Sequence, residues 1–370
     1  MSEQKRAGAG QEALKTVREA NKRIDDAVVS SLTKFHLHRG VLRMMLLTAV
    51  AFAFFAVLKP DVFMNPLNLE NIATASPEIG LLALAITLAM MTGGIDLSVV
   101  SIANLTAITI STLYTAIAVM DEQLANSLGM VIVLVGFVVG LLGGFINGLL
   151  ITKVGITPIL ATLGTMQIYN GLAVVWTGGK TLYGAPEMLS IVGKGTAAAV
   201  PLLFVVFVLA AVTIAVVINR TALGSTITLQ GANPVAAKFS GIRTGRTLMS
   251  TYLMTGALSA LAGILIISRN PTASADYGSS YVLLVIVIAV LGGTNPNGGF
   301  GTVMGVVLAT LTLQIVSSGF NIIRLSSYEY AIAQGVILIG IMVVDQISTN
   351  RKRAAVPRVK VPTVDTLTQK

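Results

Sequence analysis

The sequence predicts an all-α integral membrane protein of about ten transmembrane helices, both termini cytoplasmic, with a short cytoplasmic helix between two of the spans. Three observations predict it. Of 370 residues, 54% are hydrophobic and 11% charged, with mean hydropathy +0.82, against about 25% charged in a soluble domain. Apolar runs of roughly 20 residues, the length that crosses a bilayer, recur along the chain. Basic residues are distributed unequally between alternate connections. The same composition excludes disorder, which needs few apolar residues and high charge. Cysteine is absent and the two histidines, His36 and His38, both fall in the polar N-terminal stretch. Thiolate chemistry, Cys-ligated metals, a His-rich metal site and a Ser-His-Asp triad in the body of the chain are therefore excluded.

Residues 1–40 form a basic extension with apolar positions Leu14, Val17, Ile24, Val28, Leu32 and Phe35 at helical spacing. The stretch is too polar to span and lacks the short apolar core of a signal peptide. It reads as a cytoplasmic amphipathic helix. The polytopic body, 41–345, holds ten candidate spans at about 41–58, 73–92, 97–119, 128–151, 158–176, 200–218, 249–268, 280–293, 302–319 and 328–345. Residues 346–370 form a basic cytoplasmic tail. With ten spans and a cytoplasmic N-terminus, 20 of the 25 Lys and Arg residues fall inside, and only Lys59, Lys180, Lys194, Arg269 and Arg324 fall outside. The formal net charge of +9 is thus an orientation signal and no evidence for a nucleic-acid partner.

Charges are scarce within the spans; Glu78, Asp96, Glu329 and Asp345 are placed at or near span ends. The deep polar groups are neutral: Asn104, Thr106, Asn147, Gln167, Asn170, Gln314 and Gln334. Each could join two helices. As a set they suit a neutral polar solute better than a proton relay, and Asn104, Asn147, Gln167 and Asn170 are the candidates for a translocation pathway. Gly140, Gly144 and Gly148 share one helix face, which predicts close packing on a neighbour.

Two phosphate-site patterns fail. Gly178-Gly179-Lys180-Thr181 lacks the glycine a P-loop requires at Val174, and Gly299-Phe300-Gly301 has Met304 where a dinucleotide fingerprint needs glycine. Any ATP chemistry must belong to another chain.

The inside connection 219–248 carries Arg220, Lys238, Arg243 and Arg246 and no acid. Within it, Gly231-Ala232-Asn233-Pro234-Val235-Ala236-Ala237-Lys238-Phe239-Ser240-Gly241-Ile242 predicts a capped helix. Asn233 suits the N-cap, Pro234 the first position, Ala236 and Ala237 the interior, Lys238 the negative end of the dipole and Gly241 the left-handed C′ position. So short a helix is unstable alone, and Val235, Phe239 and Ile242 offer an apolar edge for packing on the membrane domain or on a partner.

Three segments together resemble a family. Thr92-Gly93-Gly94-Ile95-Asp96-Leu97-Ser98-Val99, Gly231–Ile242, and Ala289-Val290-Leu291-Gly292-Gly293-Thr294 with Gly298-Gly299 look like the ribose/xylose-type permeases of bacterial ABC importers, in the family's order, over roughly residues 70–345. The resemblance implies a non-enzymatic transport subunit of the plasma (inner) membrane that carries a monosaccharide into the cytoplasm. It implies pairing with a second permease copy or a paralogue, cytoplasmic ATPase subunits that bind Mg-ATP, and a periplasmic or lipid-anchored sugar-binding protein. No cofactor is expected on this chain. It further implies that Asn233–Ser240 carries ATPase motion to the membrane domain. This chain departs from the family at Val100, where glycine is common, and at Val282 after Tyr281, where an acid is common. The competing reading, an ion-coupled secondary transporter of a small polar solute, predicts membrane-embedded carboxylates and inverted repeats, which the sequence does not display.

Overall fold

Long apolar runs punctuated by Asn/Thr-Pro starts and glycine ends fold into a bundle of packed helices. The computed structural model describes residues 39–326 together with Glu329, Ile332, Gly335, Val336 and Ile339. The expected N-terminal helix, most of the tenth span, Gln334, Asp345 and the C-terminal tail lie outside the described residues.

The helices are α1 (Arg39–Leu58), α2 (Pro60–Phe63), α3 (Pro66–Met91), α4 (Val99–Ala118), α5 (Glu122–Ser127), α6 (Gly129–Leu149, continued by a π-turn over Leu150–Val154), α7 (Pro158–Thr177), α8 (Glu187–Lys194), α9 (Leu202–Arg220), α10 (Ala222–Ala232), α11 (Pro234–Phe239), α12 (Thr244–Arg269), α13 (Tyr281–Leu291) and α14 (Val303–Ile322). Among the described residues, eight are long and apolar enough to cross a membrane: α1, α3, α4, α6, α7, α9, α12 and α14. The chain is an all-α multi-pass membrane protein. Two-residue strands make two small antiparallel pairs, β1 (Leu182–Tyr183) with β4 (Thr272–Ala273) and β2 (Thr196–Ala197) with β3 (Val200–Pro201).

Helix α3 is the central element. Every residue from Leu81 to Met91 is buried, and α12, α14, α9 and α13 pack around it. The core there is Leu81, Leu84, Leu88, Phe207, Val285 and Val306 among others. The glycine face of α6 packs as its spacing predicts. Gly144 meets the backbone of Tyr252 and Gly256 on α12, Gly140 meets Ala260, and Gly148 meets Met249. A methyl group on Gly256 would stand 2.8 Å from the Gly144 Cα, so the two helices touch backbone to backbone.

Two expectations need correction. The 219–248 connection is not one short helix in a loop: α10 occupies its first half, and Gly231 belongs to the end of α10. Glu78 is not near a span end. Helix α3 starts seven residues earlier than predicted, at Asn65-Pro66, where the Asn65 side chain accepts the Leu67 N–H at 3.0 Å. Glu78 therefore sits at mid-helix, buried.

Candidate functional site

The predicted cap geometry of α11 is present. Asn233 Oδ1 accepts the Ala236 N–H at 3.0 Å, and Pro234 is the first helical residue. At the other end Gly241 has φ +79°. Its N–H donates to Lys238 O at 3.1 Å, and the Ile242 N–H donates to Ala237 O at 3.1 Å. These paired bonds are a Schellman termination. Ala237 faces inward at 4% exposure, whereas Val235 and Phe239 are 65% and 88% exposed. The helix thus leans on its own bundle through alanine and leaves its apolar edge uncovered in the single chain.

Beside α11 the three motif segments converge, although they are far apart in sequence. The Gly299 N–H donates to Met91 O at 3.0 Å. Gly231, at the end of α10, lies against that same Met91 carbonyl and the Gly299 nitrogen. A methyl group on Gly298 would stand 2.8 Å from the Gly231 carbonyl oxygen and 2.9 Å from the Gly93 Cα. Gly292 packs on the backbone of Gly305 and Val306, and Thr302 Oγ1 donates to Gly292 O at 2.8 Å. Gly293, the next residue, adopts φ +89° to turn the chain out of α13. The result is a knot of bare backbone joining the ends of α3 and α10 to the turn that follows α13.

Next to the knot, a polar network fixes the 92–98 turn. Gly94 packs against Pro158 and the Tyr252 hydroxyl. Asp96 is fully buried. Its Oδ1 accepts the Ser98 N–H at 3.0 Å and the Ser98 hydroxyl at 2.7 Å, and its Oδ2 accepts the Thr255 hydroxyl at 2.8 Å. Asn147 donates to Ser98 Oγ at 2.7 Å and accepts from the Thr165 hydroxyl at 2.6 Å. Five residues on the turn, α6, α7 and α12 are joined in one chain of bonds. Burial of such groups is tolerated because each finds a partner.

The four pathway candidates are not brought together. Asn147 belongs to this network. Asn104 is buried on α4 and donates to Ala275 O at 3.0 Å and Tyr277 O at 2.8 Å. Gln167 is exposed on α7, and Asn170 is half-buried there with its Oδ1 unpartnered.

Sequence reasoning missed two features. One is a buried clasp: Arg269 Nη1 lies 3.3 Å from Glu78 Oε1, and the Tyr277 hydroxyl donates to Glu78 Oε2 at 3.1 Å. The other is the path between α12 and α13. After Arg269 the chain turns back into the bundle and runs down α4 without helical structure. The expected eighth span, 280–293, is the 11-residue helix α13, too short to cross a bilayer by itself and preceded by this non-helical run; that shortness was the available signal.

The chain matches the family model described as "branched-chain amino acid transport system / permease component" over residues 68–344. It is 33% identical to the ribose import permease of Bacillus subtilis over 293 residues, 79% of this chain and 88% of the relative. It is 31% identical to the galactose/methyl galactoside import permease of Escherichia coli over 329 residues, 86% and 97% of the two chains. A probable ABC transporter permease of Sinorhizobium fredii is 30% identical over 288 residues, 78% and 84%. No solved structure matches. With its helices, its motif turns and these relatives in agreement, the chain belongs to this family of transport-system permease components.

Proposed function

We propose that this chain is the membrane-spanning permease of an ABC importer that carries a monosaccharide into the cytoplasm across the plasma membrane. The observation that supports it most directly is the knot: the three segments that carry the family resemblance meet at one place, directly beside a capped helix whose apolar edge is bare. In this reading the end of the bundle holding α11 faces the cytoplasm, as the basic residues of the 219–248 connection favour, and both termini lie on that side. The exposed positions Asn233, Pro234, Val235, Ala236, Lys238, Phe239, Ser240 and Gly241 receive the ATPase subunits, which bind Mg-ATP, while Gly231 and Ala237 are buried and seat this stretch on the bundle. The turns at Gly93, Gly94, Asp96, Ser98, Gly292 and Gly293 pass that motion on.

A second permease copy or a paralogue completes the assembly, and an extracytoplasmic sugar-binding protein delivers the solute. Gln167 on α7 is the pathway residue open to solute, with the half-buried Asn170 beside it and Asn104 and Asn147 holding the walls behind. The named sugars of the relatives favour a hydroxyl-rich neutral solute over the amino acids in the family's description, and the neutral amides suit such a solute.

The test is Phe239→Asp in the full assembly. The side chain is exposed, so the permease should insert and fold normally, yet lose co-purification with the ATPase or its stimulation. Normal assembly and normal uptake in this variant would move the contact elsewhere.

A further inference from the structure

Between α12 and α13, residues 270–280 form a re-entrant segment, and its depth can be read along α4. Ser111 Oγ donates at 2.9 Å to the carbonyl of Gly184, whose N–H in turn donates at 2.9 Å to Pro271 O. Strand β4 then pairs with β1 at this level. Asn104, seven residues along α4 from Ser111, bonds the carbonyls of Ala275 and Tyr277. At about 1.5 Å per helical residue the segment descends roughly 10 Å alongside α4. Asn104 is the sixth residue of a 20-residue spanning helix, so this backbone lies well inside the hydrocarbon zone.

Non-helical backbone at that depth survives only where it is buried in protein or lines water. The anchored residues satisfy the first condition. Ala275 is buried, and Tyr277 is held by Glu78. Asp276, Ser279 and Ser280 do not: all three are exposed in the single chain. A carboxylate at this depth cannot face lipid without a heavy cost.

We propose that Asp276, Ser279 and Ser280 border the aqueous route through the permease and are solute-contacting residues for a polyhydroxylated, uncharged substrate. The Asp276 carboxylate accepts from neighbouring hydroxyls of the solute, and the two serines donate and accept. The segment is held rigid from behind by Asn104 and by the Glu78–Arg269–Tyr277 clasp, so its outward face is pre-set. This inference rests on the importer reading for the identity of the solute, but not for the presence of water at the segment.

The chain has no cysteine, which makes the test direct. Single variants Asp276→Cys, Ser279→Cys and Ser280→Cys, with Leu209→Cys on the exposed face of α9 as a lipid-facing control, are treated in membranes with a charged methanethiosulfonate reagent. Only a thiolate reacts, and it forms only where water reaches. Labelling at Ser279→Cys more than about tenfold faster than at Leu209→Cys is expected; equal rates would overturn the proposal. Uptake of radiolabelled ribose, xylose and galactose is then measured at matched membrane levels. Asp276→Leu should lose about tenfold or more in uptake, the scale of a lost charged hydrogen bond, and Asp276→Asn should keep most of it. Rapid labelling with unchanged uptake in Asp276→Leu would overturn the solute contact. If the wild-type assembly moves none of the three sugars while labelling is rapid, the importer reading has failed on its solute and the water-lined segment stands.

Discussion

Gly231→Ala is the sharpest perturbation of the knot. Gly231 sits in helix α10 with no positive φ. In an open helix the change should stabilise by about 0.8–1.0 kcal/mol, the propensity difference between the two residues. Here the new methyl group meets the Met91 carbonyl oxygen and stands 2.5 Å from the Gly299 nitrogen. Both atoms are backbone, and they bond to each other at 3.0 Å, so no rotamer change can make room. Overpacking of this kind costs about 1–3 kcal/mol, and a lost backbone hydrogen bond about 1 kcal/mol more. The steric cost wins, and the expected sum is a destabilisation of about 1–3 kcal/mol. Gly164→Ala on α7 is the control: nothing lies within 4 Å of that position, so only the propensity gain remains. The assay is the apparent unfolding temperature of each purified variant in one detergent, with uptake measured in parallel. Gly231→Ala should melt lower than wild type and Gly164→Ala at or above it. A Gly231→Ala protein as stable as Gly164→Ala would show that the ends of α3 and α10 and the turn after α13 are not in backbone contact.

The clasp predicts an asymmetry. Arg269→Gln leaves the Glu78 carboxylate, 4% exposed at its side chain, without a counter-charge and should destabilise by about 3–5 kcal/mol; Glu78→Gln leaves an arginine that is 30% exposed and should cost less, with the double variant recovering part of the Arg269→Gln loss in a thermal-stability cycle. Asn147→Leu removes the bond into Ser98 Oγ and the one from the Thr165 hydroxyl, two groups that keep Asp96 and the Thr162 carbonyl as partners, and should lower stability by about 1–3 kcal/mol in all; unchanged melting would mean that water or another group replaces the amide. A reporter active only in the cytoplasm, fused after Lys370, should be active; activity only from a periplasmic reporter there would overturn the span parity.

Local chemistry was legible and convergence was not. Asn233-Pro234 and Gly241 announced α11 because caps depend on residues within a few positions of each other. The same Asn-Pro signal stands at Asn65-Pro66, and reading it there would have placed Glu78 at mid-helix. Helix α10 was read as loop because Gly224, Ser225, Thr226 and Thr228 have weak helix propensity. Its support is tertiary: Gly224 packs on the Ile218 backbone and Gly231 on Met91. The glycines at 93, 231 and 298 could be marked as turns or motif positions from sequence, but their mutual contact is a property of the folded bundle. The pathway amides show the same limit. Asn104 and Gln167 are equally polar in sequence; one is spent on the re-entrant backbone and the other is left exposed, and only the neighbours decide which.

The knot and the re-entrant segment share two helices, and this bears on how far a displacement at α11 can travel. Helix α3 runs from the knot at Met91 to the clasp at Glu78, about 20 Å of helix at 1.5 Å per residue. Helix α13 runs from the knot at Gly292 to Tyr281, immediately after the re-entrant segment. Both routes are continuous helix, and both begin where backbone touches backbone. A contact between side chains can absorb a small shift by changing rotamers; a contact between glycine backbones has no rotamers to change. Packed interfaces of this kind shift between discrete arrangements rather than deform smoothly. In the proposed importer, motion of α10 would reach α3 through Met91 and α13 through the turn that carries Gly298 and Gly299, and these are the two helices that hold Tyr277 and Ser280 in place. The argument requires the glycine contacts to matter for uptake beyond stability. At a temperature where Gly231→Ala remains folded, its uptake should still fall, while Gly164→Ala transports normally.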